Sequence, residues 1–212
     1  MIRTKVKICG VTNLKDATLV ASLGADYIGL NLYKESPRKV SVKMAKDIIA
    51  TLPPFITPVA VFVDEDITEA GKILKKCGFK MVQLHGNESV EYCTQLKVAA
   101  NIPLIKAFRI LDENSLSLMI DYKDVVDYFL LDAYVAGEPG GTGETFNWEL
   151  ALKAKELNKS VFLAGGLTPD NVLDAIEKVQ PFCVDSASGV ERLPTKKDYD
   201  KLKDFIRKAH GF

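Results

Sequence analysis

The sequence predicts an α/β fold, a single (β/α)8 TIM barrel over residues 1–212, and three observations predict it. Short apolar runs alternate with amphipathic helical stretches through eight successive units, which is the element order of a parallel sheet wrapped by helices. The strand runs are continuously apolar, as strands covered on both faces must be. No GxGxxG follows the first strand, which counts against the runner-up, an open doubly wound sheet.

Each unit has its own signals. The first strand covers 5–8, and a helix follows with Thr12 or Asn13 as cap, Leu14, Ala17 and Ala21 on one face, and Gly24 at its end. The second strand, 27–31, leads to a helix that starts after Ser41 and carries Ala45, Ile48, Ile49 and Leu52 on one stripe before Pro53 and Pro54 stop it. The third strand is 59–63, and its helix, with Ile67, Ala70, Leu74 and Cys77 inward, breaks at Gly78. The fourth strand, 81–84, runs into His85, Gly86 and Asn87, with a shorter helix over 88–97. The fifth strand is 104–107, followed by a weaker helical pattern over 112–122. The sixth strand, 128–131, ends on Asp132, and a loop through Gly137, Gly140, Gly141 and Gly143 precedes a helix over 148–157.

The seventh strand, 161–164, opens into Gly165 and Gly166. Thr168 as cap and Pro169 at the first helical position then predict a helix start, with Val172, Ile176 and Val179 facing inward. The eighth strand is 182–185, and the last helix is predicted to begin near Thr195, whose spacing to Asp198 resembles a capping box, with Leu202, Phe205 and Ile206 buried.

Composition removes several classes of function. With 28 basic and 28 acidic residues there is no global field to draw in nucleic acid or an anionic membrane, although a local phosphate site remains open. No apolar run approaches bilayer length and the first residues enter a strand without a signal-like segment, so a cytoplasmic protein is expected. The four cysteines form no CxxC pair, which gives a zinc knuckle or redox dithiol little support. Scattered free thiols fit a reducing compartment.

Right-handed crossovers put all eight strand ends on one rim, so function is sought in Cys9, Arg38, Asp64, His85, Asp132, Gly166 and Asp185. Two glycine-bearing stretches at consecutive strand ends, with Gly165 and Gly166 in one and Ser188 and Gly189 in the other, match the phosphate cup of such barrels; the plain alternative is tight turns. Cys9 at a strand end is either a proton-transfer thiolate or a small packing residue. Asp132, ending an apolar strand, is either an acid kept protonated by a low-dielectric interior or a loop brace. Arg38 can grip a carboxylate or stand solvated, and His85 and Asp185 can bind or brace. The run from Gly140 through Gly141 to Gly143 is a candidate lid or a loop that needs positive φ. Cys77, Cys93 and Cys183 read as core.

The ordered set Lys7-Ile8-Cys9-Gly10, Ser36-Pro37-Arg38, Val82-Gln83-Leu84-His85-Gly86, Leu131-Asp132, Gly140 to Gly143 with Phe146 and Trp148, Ala164 to Asn171, and Asp185 to Glu191 resembles the phosphoribosylanthranilate isomerase family of tryptophan biosynthesis. One departure is Asp-Ser-Ala-Ser-Gly-Val-Glu at 185–191, where the family commonly has Asp-Val-Ser-Ser-Gly-Val-Glu. The resemblance implies an Amadori rearrangement with Asp132 as general acid and Cys9 as general base. It also implies Arg38 on the anthranilate carboxylate and His85, Asp185, Gly141 and Gly143 on the substrate. Gly165, Gly166, Ser188 and Gly189 would hold its phosphate, with no metal and no organic cofactor. A free thiol titrates near about 8.5, so a lowered value at Cys9 would help. The expected partner is a small phosphorylated sugar-anthranilate; oligomeric state stays open between monomer and homodimer. The rivals are a histidine-pathway or bifunctional phosphoribosyl isomerase, disfavoured because no half-chain repeat and no second glycine-rich cup appear, and a non-catalytic phosphosugar-binding barrel.

Overall fold

The structure, a computed structural model, describes residues 3–133 and 148–211; the glycine-rich stretch with Gly137, Gly140, Gly141 and Gly143 lies outside the described residues. The elements run β1 (Lys5–Cys9), α1 (Leu14–Ser22), β2 (Tyr27–Asn31), α2 (Val42–Thr51), β3 (Thr57–Phe62), α3 (Ile67–Cys77), β4 (Met81–Leu84) and α4 (Val90–Ala100). They continue with β5 (Leu104–Ile110), α5 (Glu113–Ser117), β6 (Tyr128–Ala133), α6 (Trp148–Lys155), β7 (Ser160–Leu163), α7 (Val172–Val179) and β8 (Cys183–Ser186). A two-stranded ribbon, β9 (Glu191–Leu193) with β10 (Lys196–Lys197), precedes α8 (Tyr199–Ala209). Strands β1 to β8 pair in chain order, all parallel, and β8 closes on β1 with Lys7 opposite Asp185. The predicted barrel is present.

Strand alternation divides the apolar residues into two cores. Val6 and Ile8 of β1 face outward into a large cluster shared with the helices, including Ala17, Ile48, Leu74, Leu96 and Phe205. Inside the barrel, Tyr27, Val59, Met81, Ile105, Leu130 and Phe162 form a smaller cluster with Tyr128 and Phe182 against it. Rings of Tyr128 and Phe182 stack at 5.2 Å, and Tyr27 and Tyr128 each meet Phe162 edge-on at 5.4 Å. Each such ring contributes on the order of 2–3 kcal/mol by burial, with about 1 kcal/mol more from ring geometry. Tyr27 and Tyr128 open their strands and Phe182 directly precedes β8, so this aromatic cluster lies towards the end where the strands begin.

Helix starts follow the expected chemistry at several places. Asn13 accepts from the Asp16 N–H, Ser41 from Met44 and Ser89 from Tyr92, so each side chain satisfies an otherwise orphan donor. Four expectations are corrected. Leu14 is 41% exposed, because as the first residue of α1 it lies off the face that Ala17, Val20 and Ala21 bury. Thr168 and Pro169 form a turn ahead of α7, where the Thr168 hydroxyl accepts from Asp170, and the helix begins only at Val172. Thr195 sits at φ +70° in the turn of the β9–β10 ribbon, and Asp198 is the residue that caps α8. The 112–122 stretch splits into α5, with a capping box between Asp112 and Ser115, and a 3-10 turn at Ile120–Tyr122.

Candidate active site

Inward-facing positions on neighbouring strands build a site of two tiers. The lower tier is Lys7 on β1, Gln83 on β4 and Asp185 on β8, all buried. The upper tier is Cys9, Asp132 at the end of β6, and His85 just beyond β4. Cys9, Arg38, Gln83, His85, Asp132 and Asp185 line one cavity of about 130 Å³ together with the backbone at 164–167 and 186–189. Nearly all the predicted rim residues therefore converge. Asp64 does not: its carboxylate accepts from the Asn87 N–H and braces the loop after β4.

Hydrogen bonds give each polar group a direction. Gln83 Nε2 lies 2.8 Å from His85 Nδ1, and His85 Nε2 lies 3.3 Å from Asp132 Oδ2, so the three side chains form a chain across the mouth. Lys7 Nζ donates to Asp185 Oδ2 at 2.8 Å, whereas Asp185 Oδ1 is buried without a partner among the described residues. An unmatched buried acceptor at a cavity wall costs about 1–3 kcal/mol unless a ligand supplies a donor. Burial pushes the Cys9 thiol up; Lys7 and Lys197 pull it down and Asp185 adds to the rise. Desolvation outweighs the two ammonium groups, so the lowered value that would help the base is not produced in the absence of substrate.

Arg38 arrives from the loop after β2 and is held from below. Its Nε donates to Glu191 Oε1 at 2.9 Å and its Nη2 to Oε2 at 2.8 Å, a bidentate pair. Lys197 Nζ binds the same carboxylate at 3.1 Å and also the carbonyls of Cys9 at 2.7 Å and Ala187 at 2.8 Å. Burial favours protonated Glu191, but Arg38 and Lys197 together bring its carboxyl below the ordinary value. The arrangement ties the end of β1 to the loop after β8 and fixes the arginine over the mouth.

The anion cup is also built. Among the described residues the backbone N–H groups of Gly165 and Gly166 meet no protein acceptor. A Cβ at Gly189 would lie 2.0 Å from the Leu167 carbonyl oxygen, so the two loops can approach this closely only with glycine there. Ser186 Oγ locks the same junction by donating to Leu167 O at 2.7 Å. Gly141 and Gly143 lie outside the described residues.

A wider groove of about 700 Å³ opens beside the cavity between the ends of β3, β4 and β5 and shares His85 with it. It reaches neither Cys9 nor the anion cup, so size alone would misplace the chemistry. Among the described residues no cluster of three or more His, Cys, Asp or Glu is placed to hold a metal ion, and no helix is long and apolar enough to cross a membrane.

A family model described as N-(5'-phosphoribosyl)anthranilate (PRA) isomerase matches residues 6–208. The chain belongs to this isomerase family. A phosphoribosylanthranilate isomerase of Pelobacter propionicus is 47% identical over 205 residues, spanning 97% of this chain and 95% of the relative. The Geobacter sulfurreducens isomerase is 45% identical, spanning 98% and 99%. The crystal structure of the Thermotoga maritima phosphoribosylanthranilate isomerase superposes with a TM-score of 0.92 at 39% identity, covering 99% of this chain and all 100% of that one. A structure of a phosphoribosylanthranilate isomerase in complex with reduced 1-(o-carboxyphenylamino)-1-deoxyribulose 5-phosphate gives 0.88 at 38% identity, covering 99% and 100%. The chain is an isomerase of tryptophan biosynthesis, and an enzyme rather than a binding-only barrel.

Several polar residues that the fold brings to the site are not singled out as site residues by the sequence. Lys7 and Gln83 stand two residues before Cys9 and His85, so strand alternation alone would have aimed them into the barrel. A lysine or glutamine on the inner face of a buried strand is the available signal. Glu191 and Lys197 carried no such mark, because the ribbon that brings Lys197 under Cys9 was read as the start of a helix.

Proposed function

We propose that Cys9 is the general base and Asp132 the general acid of the Amadori rearrangement of N-(5'-phosphoribosyl)anthranilate to 1-(2-carboxyphenylamino)-1-deoxyribulose 5-phosphate. The observation that carries this reading is the convergence of a thiol, a carboxyl and an anion cup on one cavity at the strand ends. Protonated Asp132 donates to the furanose ring oxygen as the C1'–O bond breaks and the anthranilate nitrogen lone pair forms the iminium. The Cys9 thiolate then takes the C2' proton; the C–H electrons become the C1'–C2' double bond and the iminium electrons return to nitrogen. The enolamine gains a proton at C1' and loses its hydroxyl proton to become the ketone. Each step, the ring-opening C1'–O cleavage included, is driven by a proton transfer of the kind side chains perform.

The remaining groups position the substrate. Arg38, with Nη1 not engaged by any acceptor among the described residues, meets the anthranilate carboxylate, while Gly165, Gly166, Ser188 and Gly189 hold the phosphate. Holding both ends keeps C2' between base and acid. Asp185 Oδ1, a buried acceptor without a partner among the described residues, takes a sugar hydroxyl, and His85 steadies Asp132. Gly141 and Gly143 belong to the substrate side on the resemblance alone. The substrate is a small phosphorylated molecule, not a nucleic acid, and four free cysteines accord with a cytoplasmic enzyme.

The test is loss of fluorescence of freshly generated phosphoribosylanthranilate on addition of the native chain, Cys9→Ala or Asp132→Asn. Rapid loss with the native chain alone is expected, each variant slowing by about a hundred- to ten-thousand-fold. Near-native turnover by a folded variant removes that residue from its role.

A further inference from the structure

The fully buried Lys7 is not explained by stability. Lysine is almost never fully enclosed unless paired, and replacing a buried ion pair with apolar residues of similar volume is often neutral or stabilising. A barrel interior already filled by Val59, Met81, Ile105 and Leu130 has no structural need of an ammonium group. Lys7 is also absent from the wall of the cavity and lies beneath it.

Its geometry points upward to Cys9. Both residues project from the inner face of β1 over Gly29 of β2, where a Cβ would lie 2.8 Å from Cys9 Sγ and 3.2 Å from Lys7 Nζ. Sulfur and ammonium thus crowd one point, which glycine leaves free. The Lys7 Nζ position is fixed from the other side by Asp185 Oδ2 at 2.8 Å. We propose that Lys7 is the positioning residue of the base: its ammonium, anchored by Asp185, steadies the negative charge on Cys9 when that residue accepts the substrate proton.

This rests on the reading of Cys9 as base, and the surrounding charges support it. The groups facing the sulfur are Lys7 and Asp185 from β1 and β8, Glu191 and Lys197 from the ribbon, Arg38 from the loop after β2, and His85 and Asp132 across the mouth. Three basic side chains, Lys7, Lys197 and Arg38, pair with only two carboxylates, Asp185 and Glu191, in the shell beside the sulfur. Burial works against a charged Lys7, yet Asp185 and Cys9 outweigh it and hold the ammonium protonated. Of the influences on Cys9 that favour thiolate, Lys7 is the largest.

Iodoacetamide alkylation of Cys9 against pH, followed by peptide mass spectrometry on the full chain without substrate, tests the proposal. Buried Cys77, Cys93 and Cys183 serve as internal controls. The variants are Lys7→Met and the double variant Lys7→Met/Asp185→Asn. Both are expected to alkylate more slowly than native near neutrality, on the order of tenfold, with the inflection displaced to higher pH, since one unit of pKa is a tenfold change in thiolate. A native profile in the double variant would overturn the proposal, because Lys7 would then only neutralise Asp185. A native profile in the single variant would overturn it as well. Should Lys7→Met fail to fold, the double variant decides alone, since it leaves no orphaned charge. The readout is independent of turnover, so failure here is distinguishable from failure of Cys9 as base, which the Cys9→Ala assay reports.

Discussion

Two strand lysines are buried on opposite faces of the sheet, and they are built differently. Lys106 on β5 faces outward and spends its ammonium on Gly86 O at 2.8 Å, Glu88 Oε2 at 3.0 Å and Ala107 O at 3.2 Å. Glu88 in turn accepts from the backbone N–H groups of Asp64 and Gly86, so that network is closed on itself. Lys7 faces inward and bonds one oxygen of Asp185, whose other oxygen is unmatched among the described residues, beside a thiol at the cavity floor. A closed network fixes a loop, whereas an open one leaves capacity for a reacting group. The contrast separates architecture from chemistry within one barrel.

Removing the thiol in Cys9→Ala is expected to cost about a hundred- to ten-thousand-fold in turnover with an unchanged melting transition, checked by fluorescence assay and circular dichroism. Lys106→Met reverses the pattern: orphaning buried Glu88 costs about 3–5 kcal/mol in urea unfolding, with turnover per folded molecule retained. Gly189→Ala forces the cup apart at Leu167 and should raise KM more than it lowers kcat; loss of one charge-assisted hydrogen bond, about 1.5 kcal/mol, corresponds to about tenfold. Equal losses in kcat and KM for that variant would place the cup closer to the chemistry.

The smallest effect concerns the other end of the molecule. Burial alone would raise Asp26, but hydrogen bonds from His210, Lys5 and the Val6 N–H and the charge of Arg3 hold its carboxyl below the usual range. A depressed folded value contributes stability that is present above the unfolded pKa of about 3.9 and lost as pH falls below it. Asp26→Asn should therefore be less stable than native at neutral pH, and the gap should narrow during acid titration followed by urea unfolding. A gap that stays constant below pH about 4 would show that the ion pairs contribute nothing.

Strand parity made much of this legible. Cys9, His85 and Asp132 could be placed at the rim because apolar runs of fixed length end on them, and the cup because glycines recur at two adjacent strand ends. The Lys7–Asp185 pair was not legible, since it joins residues 178 apart and depends on the register with which the barrel closes. The Arg38–Glu191–Lys197 network was hidden by Thr195, whose left-handed backbone makes a hairpin where a threonine three residues before an aspartate suggested a helix start. The direction of the Cys9 shift is not legible in the sequence, because enclosure depends on the whole barrel while the sequence displays only the reactive residue type.

The most direct test of the open-versus-closed distinction is kcat/KM against pH for native, Lys7→Met and Lys106→Met, each corrected for its folded fraction. An acidic limb displaced to higher pH is expected for Lys7→Met alone, because fewer Cys9 side chains are then ionised near neutrality. Identical limbs for all three, or equal displacement in both variants, would contradict it.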